Sequence, residues 1–438
     1  MVKMARTSNF GKLWTALSVS LLGSQITALA LPLFAATRLH EPALQMGVLA
    51  SAGQLPFLLC SLPAGILADR VRRRPILIVT DLGSAVLLLT VPLAVPVGGP
   101  YFIQLCVVAF GVGVLTVLSE VAHYAYVPTL VARDRLTDFN SRLQVSYSVA
   151  ESGGPGLAGV LVQLITAPLA VLVDAASFVV SATLLRSIDH QERRVEVPAG
   201  EPVVSLRRSL TDGLRMLLGH RLLRPIMLTG LFVAFFDQGI VALFVLYATR
   251  ELGLNAATIG LIFVAGGIGG IPGAMLARWA GNRYGVGPAI VLGLLLTALS
   301  GLLIPLASGP VAVTVLMLAV AKALGGLTFT VANIHQWSLR QAVTPDELAG
   351  RVTAGQRFIV YGGGSLGALT GGALGSLIGL RPALFFCVAG GVLAPLITAF
   401  SPVRQVREQP ALDVEPVQQA DLTRGCGGSD TPAIVQQS

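Results

Sequence analysis

The stretch Gly65-Ile66-Leu67-Ala68-Asp69-Arg70-Val71-Arg72-Arg73-Arg74 is a short, strongly basic segment between two long apolar runs. The run from about Leu44 to Ala68 carries no charged residue, and the run from Pro75 to Pro100 carries only Asp81. Each run exceeds the roughly 20 apolar residues that cross a bilayer core. Because Lys and Arg are retained on the cytoplasmic side, the segment predicts a cytoplasmic turn between two membrane-spanning helices.

The composition agrees with an integral membrane protein. Hydrophobic residues make up 54% of the 438 residues, and charged residues only 12%, about half the share found in soluble domains. The net charge of +8 does not indicate a nucleic-acid partner, because the basic residues lie in short loops between apolar runs. The four cysteines form no CxxC or Cys/His cluster, and no Walker lysine motif is present, so we expect neither a metal site nor a cofactor.

Long apolar runs predict twelve membrane-spanning helices, because isolated strands cannot satisfy their backbone groups in lipid. Their approximate limits are 11–36, 44–68, 75–97, 101–124, 139–165, 167–188, 224–249, 256–280, 287–308, 311–337, 352–379 and 381–401. With the N-terminus inside, 26 of the 30 Lys and Arg residues fall on the inner side. This asymmetry predicts a multi-pass protein of the inner or plasma membrane with both termini cytoplasmic.

An internal repeat divides the chain into halves. Residues 62–69 align with 271–278, and further pairs follow at a steady offset of 209 to 213 positions, which indicates a six-helix unit duplicated in parallel. We therefore predict bundles over 1–188 and 224–402. The linker, 189–223, contains an amphipathic helix that either lies on the membrane surface or packs beneath the bundle. Residues 403–438 are polar, and we expect a disordered cytoplasmic tail.

The basic segment resembles the signature loop of the major facilitator superfamily. Its pattern, Gly-x-Leu-x-Asp-Arg-x-Gly-Arg-Arg, is matched at Gly65, Leu67, Asp69, Arg70, Arg73 and Arg74, whereas Arg72 stands where the pattern usually has Gly. A second stretch, Gly153 to Gly159, resembles the glycine- and proline-rich motif of superfamily antiporters through Gly154, Pro155 and Gly159. Residues 9–14, 30–33 and 174–178 are similar to the bacterial branch of macrolide-efflux proteins and the enterobactin exporter.

The resemblance implies an all-α fold of two pseudo-symmetric six-helix bundles. It also implies that Asp69 bonds with the basic turn and caps a helix of the other half, which would hold the inner side shut. We assign Asp81 to the same gate network, around Arg73 and Arg74. The alternative is that the arginines only set the topology.

Ionisable residues inside membrane spans are costly, and they indicate function. Glu120, Glu151 and Asp237 are our candidates for proton coupling, although Glu151 could instead bond between helices. Asp237 and Lys322 lie at matched depth and could form a functional pair or a static bridge. Further candidates for the substrate cavity are Gln25 and Phe235, besides Lys322. His123 shares a helix face with Glu120, and we expect it to be solvated near the inner interface.

These features predict a secondary transporter that works by alternating access. The expected task is proton-coupled export of a moderately hydrophobic small molecule, such as a drug, macrolide or siderophore, with lipid and protons as the other partners. A lipid flippase or a nutrient importer of the same fold stays open, and a membrane-embedded enzyme is a remote alternative because no catalytic constellation is seen. We expect no enzymatic activity and a monomer.

The topology can be tested by cysteine labelling in a variant without native cysteines. Arg72→Cys should react with a membrane-impermeant thiol reagent only from the cytoplasmic side, and Pro100→Cys only from the outside, because one helix separates them. Labelling of both positions from the same side would contradict the predicted topology.

Overall fold

The computed structural model describes residues 2–95, 101–131, 135–189, 206–345 and 348–408. Over this part the chain is helical, without strands. The first bundle consists of six helices, which are α1 (Val2–Thr37), α2 (Ala43–Arg70), α3 (Arg73–Ala94), α4 (Tyr101–Leu130), α5 (Leu136–Ile165) and α6 (Ala167–Arg186). Most of these bounds lie within three residues of the predicted ones, because Gly, Pro and charged residues interrupt the apolar runs. The exceptions are α1, which begins nine residues earlier than predicted, and α4, which ends six residues later.

The second bundle follows a short linker helix, α7 (Leu206–Gly219). Its elements are α8 (Leu223–Arg250), α9 (Ala256–Tyr284), α10 (Val286–Gly301), α11 (Leu303–Leu306), α12 (Val311–Val343), α13 (Ala349–Ile378), α14 (Leu380–Gly391), α15 (Leu393–Ala399) and a 3₁₀ helix at Pro402–Gln405. The pairs α10/α11 and α14/α15 are single spans, each broken once. Pro305 and Pro395 lie four residues after the ends of α10 and α14, and their missing N–H groups leave those turns unbonded.

Ten helical segments of the described chain are long and apolar enough to cross a membrane. The other two long helices, α5 and α13, have 30 residues each and carry more polar residues. They pack between the halves, α5 against α9 and α13 against α2, so part of their surface faces protein and a cleft. The described helices therefore form the predicted twelve-span, two-bundle architecture.

Glycines bring the two bundles together near one face of the molecule. We call this the opposite face, which carries the loops at residues 38–42 and 251–255, and we call the other the linker face, since it carries α7. A Cβ added at Gly47 of α2 would lie 2.5 Å from the carbonyl oxygen of Ala368 in α13, and one at Gly260 of α9 would lie 2.5 Å from that of Pro155 in α5. No side chain fits at these crossings, so the backbones touch directly.

Two hydrogen bonds complete the contact at the opposite face. Arg250 Nη2 donates to the carbonyl oxygen of Glu41 at 2.9 Å, and the backbone N–H of Leu44 donates to Ser376 Oγ at 2.8 Å. Each bond joins one bundle to the other. The bundles are therefore closed against each other at this face.

Closer to the linker face α5 and α9 still touch, since a Cβ added at Gly267 of α9 would clash with Ser152 Cα of α5. A Cβ added at Gly53 of α2, or at Gly153 of α5, would meet nothing within 4 Å. Both positions lie closer to the linker face than the glycine crossings on the same helices. On this side Glu120 of α4 and Arg357 of α13 face each other across the bundles, and their side chains are 35% and 40% exposed. Solvent therefore enters between the bundles from the linker face, and we call this space the inter-bundle cleft.

Helix α7 packs beneath the second bundle, which selects one of the two alternatives for the linker. Leu217 is fully buried with Leu223, Met227 and Val352, and Arg351 Nη1 donates to Asp212 Oδ2 at 3.2 Å. Residues 190–205 of the linker lie outside the described part of the chain.

The ordered chain extends beyond the predicted start of the tail. Val403 is fully buried in a cluster with Ile226 and Val286, and the backbone is described to residue 408. The remaining tail residues, 409–438, for which disorder is expected, lie outside the described part.

The crossing of α5 and α9 can be tested with a matched pair of glycine variants. Gly159→Ala places a Cβ against Ala256 and about 3.0 Å from the Cα of Gly260. Overpacking of this kind costs about 1–3 kcal/mol, so the opposite face should open. The control is Gly153→Ala on the same helix, where the added methyl group meets open space. Electron–electron distances between spin labels at Leu164 and Leu261 should lengthen only in Gly159→Ala; equal distances in both variants would contradict the crossing.

The junction of α7 and α8 predicts a pH effect. His220 Nδ1 accepts hydrogen bonds from the N–H groups of Leu222 and Leu223 at 3.2 and 3.3 Å, and partial burial lowers the pKa of His220 below its usual 6.5. Below pH 6.5 the unfolded chain therefore binds the proton more readily, and stability falls as pH falls. Thermal unfolding at pH 7.5 and 5.5 should show a smaller loss for His220→Asn than for the native protein, and an equal loss would contradict this role.

Candidate functional site

The structure distributes the predicted functional residues over three places. Glu120 and Glu151 belong to the cleft, Asp237 and Lys322 line a cavity inside the second bundle, and Asp81 and Arg74 lie at the junction of α3 with α6.

An ion pair connects the two bundles within the cleft. Glu120 Oε2 of α4 lies 3.8 Å from Arg357 Nη1 of α13, and the two side chains are 35% and 40% exposed. Glu120 is ten residues from the linker-face end of α4 and Arg357 eight residues from that of α13, which is roughly 12–15 Å along each axis. Solvent therefore reaches charged groups deep inside the helices, and the two halves are coupled electrostatically at that depth.

Aromatic side chains surround this pair. The rings of Phe57 and Tyr361 stack across the bundles with centroids 4.6 Å apart and an interplanar angle of 18°. Tyr147 lies within electrostatic reach of Glu120, Glu151 and Arg357. A cleft with an acid, a base and several aromatic faces can hold an apolar or aromatic molecule and orient a charged group on it.

Asp237 and Lys322 share a separate cavity of about 300 Å³ between α8, α9, α10, α12, α14 and α15. The Asp237 side chain is exposed to this space, although the residue lies mid-helix. Lys322 Nζ lies 4.8 and 5.1 Å from the ring centroids of Phe244 and Phe263. The ion pairs of the described chain do not include Asp237 with Lys322. The two residues thus meet at one cavity and interact electrostatically, without a direct bridge.

The two other cavity candidates lie at helix contacts. Phe235 is outside the lining of the Asp237 cavity, and its ring packs edge-on against Phe236 at 5.0 Å. Gln25 lies against Gly154, where an added Cβ would be 3.0 Å from Gln25 Cγ. The motif of α5 is thus a packing surface, with Gly154 against α1 and Pro155 and Gly159 against α9.

The gate motif is described only in part. The side chains of Asp69 and Arg70 lie outside the described residues, and an added Cβ at Gly65 meets nothing within 4 Å. Arg74 donates from Nε to the carbonyl oxygen of Leu185 at 3.0 Å and from Nη2 to that of Arg186 at 2.6 Å. A guanidinium at the carboxyl end of a helix is favourable, so Arg74 fastens the turn to α6.

Two further polar residues of the first bundle are buried. Asp81 lies beside Ser181 of α6, and it is 5% exposed. His123 is also 5% exposed, with its ring 6.4 Å from that of Phe139. The expectation that His123 is solvated was therefore wrong, because the ring of Phe139, near the start of α5, packs beside it.

The main residues that the sequence reasoning missed are Arg357, Tyr361 and Tyr147. A signal was present for Arg357, which lies inside the predicted span 352–379 but was counted only as a topology charge. Tyr147 and Tyr361 carry no comparable signal, since tyrosine is common in membrane helices. Within the described residues, no group of three or more His, Cys, Asp or Glu side chains could hold a metal ion.

Curated relatives match the chain over nearly its whole length. The multidrug efflux pump Tap of Mycolicibacterium fortuitum is 25% identical over 408 residues, covering 87% of this chain and 92% of that protein. Tap of Mycobacterium tuberculosis H37Rv is 26% identical over 449 residues, covering 97% and 100%. The uncharacterized MFS-type transporter YfiS of Bacillus subtilis is 24% identical over 402 residues, covering 87% and 90%.

Solved structures share the fold. A bacterial homologue of the iron transporter ferroportin matches with a TM-score of 0.73 in its inward-facing state, at 18% identity over 91% of this chain and 98% of the other. Its outward-facing state gives 0.56, at 20% identity over 89% and 98%. A bacterial homologue of the human lysosomal transporter Spinster, inward-facing, gives 0.70 at 15% identity over 90% and 96%.

The family model of the Major Facilitator Superfamily matches residues 13–368 and 227–424, which together span both bundles. The match agrees with the duplicated six-helix architecture and with the cleft between its halves. The chain therefore belongs to the Major Facilitator Superfamily of multi-pass membrane transporters.

Proposed function

We propose that this chain exports moderately hydrophobic small molecules in exchange for protons, by alternating access. The observation that carries the proposal is the Glu120–Arg357 ion pair, which joins the two bundles inside an aromatic, solvent-accessible cleft. A group that can take up a proton therefore lies where the two halves move against each other.

The arrangement of the bundles supports a conformation that takes up substrate from one side of the membrane. The cleft opens toward the linker face, and the glycine crossings close it at the opposite face. The distribution of Lys and Arg assigns the linker face to the cytoplasm, so this state would accept a substrate from inside the cell. Transport then requires the crossings to part while the linker-face ends of the bundles approach.

Proton binding at Glu120 would couple to this motion through Arg357. A neutral carboxylic acid no longer attracts the guanidinium, so protonation removes the electrostatic attraction between the two side chains. The contact between α4 and α13 would weaken on protonation and form again on release. A proton moving inward down about 100 mV contributes roughly 2.3 kcal/mol. Glu151, near the same cluster, and Asp237, in its own cavity, are the further proton sites we propose.

The cargo class follows from the lining of the cleft and from the relatives. Phe57, Tyr147 and Tyr361 offer apolar and aromatic contact area, and two similar proteins are named multidrug efflux pumps. The structural neighbours are named for iron, lysosomal and nucleoside transporters, so the fold alone does not select a cargo. Accumulation assays in both directions would separate export from nutrient import or lipid flipping.

Carboxylate variants in proteoliposomes test the coupling. With an aromatic cationic dye as the probe substrate, Glu120→Gln should lower substrate-driven proton flux by at least about tenfold, which corresponds to 1.4 kcal/mol, since the variant cannot carry the proton. Glu151→Gln and Asp237→Asn test the two other sites. Asp138→Asn is the control, because it removes an exposed carboxylate from α5 in a surface pair with Arg142.

Removal of both partners separates a coupling role from a loss of structure. Because the pair is more than a third exposed, removing it should change thermal stability little, so Glu120→Gln and Glu120→Gln/Arg357→Gln should both melt near the native protein while their proton flux stays low. If all three carboxylate variants kept the native proton flux, the proposed coupling sites would be rejected.

A further inference from the structure

A second polar pocket lies on the linker face of the second bundle. It has a volume of about 800 Å³ and is formed by the linker-face ends of α9 and α12, the start of α10 and the segment after the 3₁₀ helix. None of its lining residues belongs to the Asp237 cavity or to the residues that surround Glu120 and Arg357. Its charged lining consists of Arg278, Arg283, Arg407 and Glu408.

The walls of this pocket are held by backbone hydrogen bonds. The N–H groups of Val286 and Gly287, at the start of α10, donate to the carbonyl oxygens of Arg407 and Val406 at 3.2 and 2.8 Å. His335 Nε2 of α12 lies 2.9 Å from the carbonyl oxygen of Ala277 in α9. The arginines therefore extend from fixed elements into a concavity that exists before a ligand arrives.

The pocket carries excess positive charge. Arg278, Arg283 and Arg407 are exposed, and the ion pairs of the described chain involve none of them. Only Glu408 opposes them in the lining. Guanidinium groups bind phosphate oxygens through paired, parallel hydrogen bonds, so a phosphate group matches the charge and the hydrogen-bond donors of this lining.

Exposed aromatic residues place the pocket at the level of lipid headgroups. Trp279, Tyr284 and Trp337 are 56%, 47% and 49% exposed, and the rings of Trp279 and Tyr284 meet edge-on at 5.8 Å. Exposed Trp and Tyr side chains are enriched at the membrane–water interface, where one end is apolar and the other is wet. A ligand with a phosphate in the pocket and acyl chains in the bilayer would contact both features.

We propose that this pocket binds the headgroup phosphate of an anionic phospholipid. The three arginines hold the phosphate, and the aromatic side chains contact the glycerol and upper acyl region. Arginines that only set the topology need no concave arrangement, whereas these line one pocket, two from α9 and one from the segment after the 3₁₀ helix. The site extends the proposed function without depending on its cargo or its coupling ion.

Fluorescence quenching tests the site directly. The chain has three tryptophans, and Trp14→Phe/Trp337→Phe leaves Trp279 as the reporter beside the pocket. In nanodiscs of phosphatidylcholine, a small fraction of brominated phosphatidylglycerol should quench Trp279 at least about fivefold more than the same fraction of brominated phosphatidylcholine. One arginine near an anionic headgroup supplies about 1 kcal/mol, which corresponds to that ratio. Native mass spectrometry of the unsubstituted protein should show retained phosphatidylglycerol as an independent measurement.

A matched pair of triple variants separates a site from general surface charge. Arg278→Gln/Arg283→Gln/Arg407→Gln should abolish both the excess quenching and the retained lipid. The control removes three other exposed arginines at the linker face, Arg215→Gln/Arg221→Gln/Arg224→Gln, and should keep both. Equal quenching by the two lipids in the reporter protein, or excess quenching that survives in the first variant, would overturn the proposal.

Two further measurements test whether something other than a lipid headgroup occupies the pocket. Inorganic phosphate should lower the excess quenching more than sodium chloride at equal ionic strength, because it competes for the same guanidinium groups; an equal effect of the two salts would indicate general surface charge and would overturn the proposal. The tail after residue 408 carries Asp413, Glu415, Asp421 and Asp430. If the excess quenching of Trp279 appeared only after these four residues were replaced by amides, the tail would be the occupant of the pocket. That result would also overturn the proposal.

Discussion

Direct contact between helix backbones is the interaction on which the arrangement of this protein depends. In a bilayer, apolar side chains gain nothing by leaving lipid for another helix, so helices associate through close packing and hydrogen bonds. Where α2 crosses α13 and α5 crosses α9, glycines allow this packing near the opposite face. Closer to the linker face the contacts between the bundles include side chains, such as the stacked rings of Phe57 and Tyr361. The partly exposed Glu120–Arg357 pair lies on this side, so the cleft is found away from the glycine crossings.

The position of the polar residues follows from that cleft. Helices α5 and α13 are the long helices that fall short of the apolarity of the other spans, and they border the space between the bundles. Their charged and hydroxyl groups can face water there without exposure to lipid. Arg357 of α13 illustrates the result, since it lies well inside its helix and its side chain is 40% exposed, and its partner Glu120 of α4 is 35% exposed in the same cleft. The cost of an ionisable group inside a membrane helix is lowered because the cleft hydrates it.

The sequence was sufficient to predict the membrane spans and the depth of single residues within them. It did not predict which side chains of the two bundles contact each other. Apolar runs end at charged residues, Gly and Pro, so the ends of α2, α6 and α9 could be predicted within a few residues. The matched depth of Asp237 and Lys322 in the sequence predicted that they could meet, and both line one cavity. The pairing of Glu120 with Arg357 joins residues 237 positions apart in different bundles, and no periodicity contains that information. The burial of His123 was missed for the same reason, since it depends on packing against the start of α5.

The repeat also explains why the two halves differ at the linker face. The alignment that pairs residues 62–69 with 271–278 places Arg278 opposite Asp69, so the second half has a cation where the first has a carboxylate. In the first half, Arg74 of the turn is held by the carbonyl groups that end α6. In the second half, the corresponding junction of α9 and α10 instead receives the backbone of residues 406 and 407, and its arginines remain directed to a pocket. Duplication supplied the same helix-turn-helix scaffold twice, and the two copies differ in the segment that bonds to the turn, which is the end of α6 in the first half and the backbone of residues 406 and 407 in the second.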